Sequence, residues 1–167
     1  MAAATFQSTV NVNYAFGVIG ELIVDSPTRV EPLTLDATGG SVGNYFTKSN
    51  STGIATQGGT IASGTVAAGF LVNPKTYKSI GSTSTLDPVF TLAGNSIGEF
   101  LTMGTIVVNS TTAANIGDQV QYNTTTGAIS CVAPGAIATA GNALIPTATV
   151  WRYTTAAAGL IAIRVTN

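Results

Sequence analysis

The chain has 167 residues, of which 8% are charged, with one cysteine, no histidine and a formal net charge of −1. This length suits one domain whose core needs no disulfides. Without histidine or clustered cysteines, the composition argues against acid–base catalysis and metal sites, and its few scattered basic residues argue against direct nucleic-acid binding. We therefore expect a protein that is not an enzyme, with no cofactor.

Residues 5–16 show a regular alternation of side chains. One face carries Phe6, Ser8, Val10, Val12, Tyr14 and Phe16. A period of two predicts a strand of about 35 Å, either the first strand of a sheet or an arm laid on a neighbour. We predict residues 1–16 as this arm or first strand and residues 17–167 as a single β domain. The predicted capsid or oligomer interface residues, for reasons given below, are Phe6, Val10, Val12, Tyr14 and Phe16.

The rest of the chain consists of short apolar segments separated by turn residues. The predicted strands cover residues 30–35, 70–72, 89–92, 100–109, 119–122, 128–132, 148–153 and 160–165. Such spacing is typical of an all-β protein, here a single β-sandwich or partly open, jelly-roll-like barrel. The only helical candidate is one turn near residues 112–115. The clearest local signal is a hairpin over residues 117–130, whose loop Asn123–Gly127 supplies residues that tolerate positive φ.

Several groups imitate catalytic or ligand-binding sites. The glycines of residues 39–43 lack the Lys-Ser/Thr of a phosphate-binding loop, so we predict a β-turn. Ser79 beside Lys75 or Lys78 is a conceivable nucleophile–base pair, but this turn-rich segment favours solvated lysines.

Three carboxylates and two unusual side chains have simpler interpretations. Asp25, Glu31 and Asp36 lack the one-residue spacing of a calcium loop, so we expect solvated loop carboxylates. Cys131 lies in a predicted strand and is expected to be a small buried hydrophobe. Trp151, the only tryptophan, lies in an apolar strand, which favours a core position over an exposed sugar-binding platform.

The sequence also lacks signals for export or membrane insertion. Its first residues have no basic region followed by an apolar one, as a secretory signal would. The apolar run at residues 67–72 is too short to span a bilayer, and a single cysteine cannot form an intramolecular disulfide. We expect synthesis in a reducing compartment and no membrane association.

Several stretches together resemble the structural cement, or capsid decoration, proteins of tailed bacteriophages. They are Phe6-Gln7, Ala15 to Glu21, Gly69 to Lys75, Glu99 to Gly104, Gly117 to Ile129, Ile145-Pro146, Ala156 to Ile163 and Val165 to Asn167. The resemblance covers both ends and the middle of the chain, and is densest in the C-terminal third. It implies a homo-oligomer, either dimer or trimer, that binds the major capsid protein across subunit junctions on the outside of a DNA-filled head. It implies no catalysis and no cofactor, and a location on the virion after synthesis in the host cytoplasm.

Two other functions remain as alternatives. A glycan-binding or fibre-type adhesion module shares the Thr- and Gly-rich β style, and predicts that Trp151 or tyrosines are exposed along a groove. A small hydrolase with a Ser–Lys or carboxylate site predicts that Lys75 or Lys78 is essential.

Overall fold

The computed structural model describes residues 17–74 and 91–166. The predicted arm, with its interface residues Phe6, Val10, Val12, Tyr14 and Phe16, lies outside this part of the chain. So does the proposed catalytic group of Lys75, Lys78 and Ser79. The division into an arm and one β domain therefore stays a prediction.

The described residues form strands and no helix, which confirms the all-β prediction. The strands are β1 (Leu22–Ile23), β2 (Arg29–Thr34), β3 (Gly40–Ser41), β4 (Tyr45–Ser49), β5 (Ala55–Gln57), β6 (Thr65–Leu71), β7 (Thr91–Leu92), β8 (Ile97–Ser110), β9 (Gln119–Asn123), β10 (Ile129–Val132), β11 (Asn142–Arg152) and β12 (Gly159–Val165). The described residues contain no helix long and apolar enough to cross a membrane. The single helical turn considered near residues 112–115 does not form, and these residues lie in a loop between β8 and β9.

Strands β8, β12, β11, β9 and β10 close into a barrel. Each pairs with the next in antiparallel fashion, and a parallel pair between Ile129 and Ser110 joins β10 back to β8. The closed ring places alternate side chains inside, as its pleat requires. The interior contains Ile106, Val108, Val120, Tyr122, Ile129, Ala148, Val150, Ile161 and Ile163.

The long strand β8 belongs to two sheets. Its second half lies in the barrel, whereas its first half pairs with β2 on one edge and with β6 on the other. Between the halves stands Gly104, whose φ of 131° is a backbone conformation that favours glycine. Opposite this point the β2 register shifts between Arg29 and Val30, which is a bulge. The strand can therefore leave one sheet and enter the other.

The second sheet curls over its own small core. It runs β2–β8–β6–β4–β5, and a bridge between Leu35 and Ala55 joins its two ends. The enclosed side chains are Leu35, Val42, Phe46, Ala55, Ala68, Leu71, Leu92 and Phe100. Phe46 and Phe100 meet edge to face with ring centroids 5.1 Å apart. The chain thus has two adjacent apolar cores that share β8.

The predicted hairpin is confirmed and holds the two cores together. Strands β9 and β10 pair with Tyr122 opposite Ile129, and Asn123 accepts hydrogen bonds from the backbone of Thr125 and Thr126 within the loop. The loop packs on the second sheet, where the Gly59 N–H donates to the Thr124 carbonyl at 2.7 Å. Its sequence therefore sets both the turn and the contact.

Proline protects a free strand edge of the second sheet. The Leu35 N–H donates to the Ser96 carbonyl at 2.9 Å, so in the alternating ladder the nitrogen of Pro32 points away from β8. A proline there removes a donor that another chain could pair with. The edge of β2 is consequently a poor template for strand addition.

Candidate functional site

A segment of the N-terminal part pairs with one edge of β8 and ends in a charged cluster. Strand β1 pairs with β8, with Leu22 opposite Ile106 and Ile23 opposite Thr105. The ladder with β8 continues over the residues that precede β1: Gly20 N–H donates to Val107 O, and Val107 N–H donates to Glu21 O. Val107 is fully buried although its neighbours Ile106 and Val108 point into the barrel. We call residues 17–25 the strap.

Asp25 ends the strap and holds it to three strands. Its Oδ1 accepts a 2.8 Å hydrogen bond from Thr105 Oγ1, and its Oδ2 lies 3.4 Å from Arg164 Nη2 and 3.5 Å from Arg152 Nη2. The Thr105 hydrogen bond, Arg164, Arg152 and a hydrogen bond from Trp151 together lower the pKa of Asp25 despite an opposing desolvation effect. Two guanidinium groups thus share one carboxylate, which leaves an excess of positive charge.

Trp151 is not in the core, contrary to the sequence-based expectation. It is the extra residue of a bulge, since Val150 lies opposite Ile163 whereas Arg152 lies opposite the adjacent Ala162. Because Ala148 and Val150 point into the barrel, the indole lies on the outer face, where it is 37% exposed. The guanidinium carbon of Arg164 lies 3.4 Å from the ring centroid, a cation–π contact that covers one face.

Exposed side chains from two segments lie near this tryptophan. Tyr153 is 39% exposed and has a φ of 67°. The loop carrying Ile116 runs alongside, because Gly117 N–H donates to Val150 O and Ala114 and Thr155 exchange backbone hydrogen bonds. Ile116 lies between these points, opposite residues 151–154, and is 62% exposed. We call Ile116, Trp151, Arg152 and Tyr153 the aromatic corner.

The carboxylates that the sequence offered as a calcium site are bound to other side chains of the fold. Glu31 pairs with Lys48, and Asp36 accepts hydrogen bonds from Thr38, so the three carboxylates considered for calcium bind separate groups. Within residues 17–74 and 91–166 no cluster of acidic residues and cysteine is arranged to hold a metal. The glycine segment forms β3 and then a turn, as predicted.

Cys131 is confirmed as a buried side chain. It lies in β10 within the barrel core, and desolvation raises the pKa of its thiol to about 11. The thiol therefore stays protonated and enclosed at neutral pH, which makes it a poor nucleophile.

A cleft opens where the hairpin loop meets the second sheet. It has a volume of about 830 Å³ and is lined by Asp36, Thr38, Gly39, Gly40, Ser41, Thr56, Gln57, Thr91, Leu92, Ala93, Thr125 and Thr126. Asp36 is its only ionisable lining residue in the described chain, and that carboxylate is already bonded to Thr38. These lining residues offer hydroxyls but no nucleophile paired with a base.

Comparison with known protein families favours one of the candidate roles. A family model for the structural cement protein of phages, described as E217 gp24/Pam3 gp6, matches residues 6–166. The chain belongs to the structural cement protein family. The match spans both cores, which supports a structural, capsid-associated role and confirms the family resemblance of the sequence.

The fold of this cement protein is also found in a solved phage particle. A chain from the structure titled "The capsid of Myoviridae Phage XM1" superposes with a TM-score of 0.66 at 18% sequence identity. The alignment covers 95% of this chain and 96% of the other. A search of curated proteins finds no match.

Sequence reasoning missed the aromatic corner and the Asp25 cluster. The order Trp151-Arg152-Tyr153 was visible, and with Ala148 and Val150 pointing inward the alternation of β11 places Trp151 on the outer face. The bulge and the positive φ that follow from tertiary packing leave no signal in the alternation of side chains.

Proposed function

We propose that this chain is a capsid decoration protein that binds the outer face of a phage head across junctions between major capsid subunits. In this role it stabilises the DNA-filled head without catalysis, a cofactor or direct contact with nucleic acid. The observation that carries the proposal is the family match over residues 6–166. We further propose that it acts as a homo-oligomer, dimer or trimer, on the outer surface of the virion.

The charge distribution fits a contact that must tolerate changes in salt. Only 8% of residues are charged, and Asp25 and Glu31 are paired within the fold. Binding would therefore rest on apolar burial and backbone hydrogen bonds, which screening by salt hardly weakens. An oligomer that contacts several capsid subunits gains avidity without tighter individual contacts.

The N-terminal arm is proposed as one of the contacts. Its alternating pattern suits addition of a strand to a neighbouring sheet, in which the backbone supplies affinity and alternate side chains supply register. The five proposed contact residues are Phe6, Val10, Val12, Tyr14 and Phe16.

A binding assay with phage heads that lack the protein tests the function. Expanded heads that lack the protein are mixed with it and pelleted at low salt and near 1 M salt. Saturable pelleting at both salts is expected from an apolar contact. Absence of binding at both salts would refute the cement function for this chain.

Variants of the arm test its part separately. Deleting residues 2–14 should abolish head binding but leave the β fold intact by circular dichroism. The matched pair is Val10→Asp with Val12→Asp against Thr9→Asp with Asn11→Asp, which adds the same charge to the opposite face. Only the first pair should weaken binding; equal effects of the two pairs would reject the alternating contact.

A glycan-binding module is a second candidate, favoured by the exposure of Trp151 and Tyr153. Against it, Arg164 already covers one face of the Trp151 ring. Because Trp151 is the only tryptophan, its fluorescence reports on this site directly. Protection from acrylamide quenching by an oligosaccharide would support the glycan function, and unchanged quenching across a glycan panel would count against it.

A further inference from the structure

We propose that the aromatic corner is the second contact of this protein with the shell, and that it receives a shell-protein surface offering apolar atoms and a carboxylate. This inference rests on the proposed cement function and adds to it a surface on the folded barrel, distinct from the arm.

Two backbone irregularities build the corner. The bulge at Trp151 adds one residue to β11, and the indole lies outside the barrel, on the face opposite to Ala148 and Val150. Two residues later, Tyr153 has a φ of 67°, a conformation that bulky side chains rarely adopt. Such departures persist where the surrounding structure enforces them, and they concentrate at binding sites.

The composition of the corner is that of a binding hot spot. Tryptophan, tyrosine and arginine are the residues whose truncation most often weakens protein interfaces. The indole of Trp151 packs against the guanidinium of Arg164, so little side-chain freedom remains to be lost on binding. Ile116 extends the apolar surface beside it.

The charges favour a partner other than a second copy. Arg152 and Arg164 share the single carboxylate of Asp25, and the Arg152 side chain is 49% exposed. A two-fold contact between two corners would bring the same excess positive charge together from both sides. A shell surface with a carboxylate against Arg152 would instead neutralise it.

The chain offers a matched control for Ile116. Ile97, at the start of β8, is 60% exposed, against 62% for Ile116. Each is replaced singly by cysteine and labelled with a maleimide in free protein and on saturated heads. The wild-type protein gives the background, because Cys131 is buried.

Labelling should fall at least about tenfold at position 116 on heads and stay unchanged at position 97. In the same assay Ile116→Asp should weaken head binding at least about tenfold, whereas Ile97→Asp should bind within about twofold of wild type. The melting temperature of each free variant shows whether its fold is kept.

Five outcomes would overturn the inference. Equal labelling of position 116 on and off heads, or equal binding of the two aspartate variants, removes the corner from the shell contact while leaving the cement function standing. Concentration-dependent protection of position 116 in free protein would make the corner an interface between copies. Protection by oligosaccharide instead of heads would assign it to carbohydrate. If wild-type protein fails to bind heads at all, the cement function itself fails and the inference falls with it.

Discussion

Tyr122 Oη donates a 3.0 Å hydrogen bond to the carbonyl oxygen of Gly59 and so links the barrel to the second sheet. Tyr122 lies in β9 and is fully buried, whereas Gly59 follows β5. The Tyr45 ring lies 4.4 Å from that of Tyr122 and 5.1 Å from that of Phe70, measured between centroids. Two side chains of the second sheet, Tyr45 from β4 and Phe70 from β6, therefore pack into the barrel core.

Replacing Tyr122 with phenylalanine should lower the free energy of unfolding by about 1–2 kcal/mol, because the Gly59 carbonyl loses its buried donor. Urea unfolding followed by circular dichroism measures the change. Since the cores share β8 and this hydrogen bond, a single transition with an unchanged slope is expected. A variant with the wild-type midpoint would show that the bond contributes nothing.

Lys48 and Glu31 form an ion pair between strands that are not neighbours in the sheet. Lys48 Nζ lies 2.7 Å from both oxygens of Glu31, and the Glu31 side chain is 42% exposed. Solvent screening limits such a pair, so Lys48→Met should cost less than about 1 kcal/mol at low salt. Near 1 M salt the difference from wild type should vanish, and Glu31→Gln should behave alike. A loss that persists in high salt would indicate packing of the lysine chain instead.

Sequence patterns predicted most of the long strands and missed several others, of which β4 is the clearest case. Strands β2, β8 and β12 and the β9–β10 hairpin were found from alternation and turn residues. Strand β4 was missed because Tyr45 packs in the barrel core while the next residue, Phe46, packs in the second core. Two buried faces erase the period of two on which the prediction depends.

The candidate site was less visible than the fold. The closure of the barrel and the bulge at Trp151 depend on pairing between distant strands, which one sequence does not show. Asp25 meets Thr105 and Arg164 across 80 and 139 residues, respectively. Asp25 lies in a loop as expected, but its carboxylate is paired with Thr105, Arg164 and Arg152 instead of being free in solvent.

Gly104 allows β8 to pass from one sheet to the other. Gly104→Ala should lower the free energy of unfolding by about 1–3 kcal/mol, because it forces a side chain into a φ of 131°. The added Cβ would also lie 3.1 Å from Thr28 Oγ1. Thermal unfolding measures the loss.

Two other glycines separate the effect of backbone strain from that of steric contact with the added Cβ. Gly117 has a φ of 92° and open space around its Cβ position, so Gly117→Ala tests backbone strain alone. Gly64 has open space and no positive φ, so Gly64→Ala should be neutral or slightly stabilising. The expected order of destabilisation is Gly104, Gly117, Gly64. A Gly104 variant as stable as the Gly64 variant would contradict the role of Gly104 in the crossing.

Asp25→Asn should reveal how much the charged cluster holds the strap. The carboxylate, 17% exposed, has its pKa lowered from 3.8 in the folded protein, by its hydrogen bond from Thr105 and by Arg164 and Arg152. A lowered pKa means that the charged form stabilises the fold above pH 3.8, and that this contribution is lost as the pH falls through the folded value. The melting temperature of Asp25→Asn should therefore lie below that of wild type at pH 7, and the gap should close in acid. Other carboxylates titrate in both proteins, so the difference between the two melting curves isolates Asp25. A gap that stays constant from pH 7 to about pH 2 would assign the loss to hydrogen-bond geometry rather than to charge.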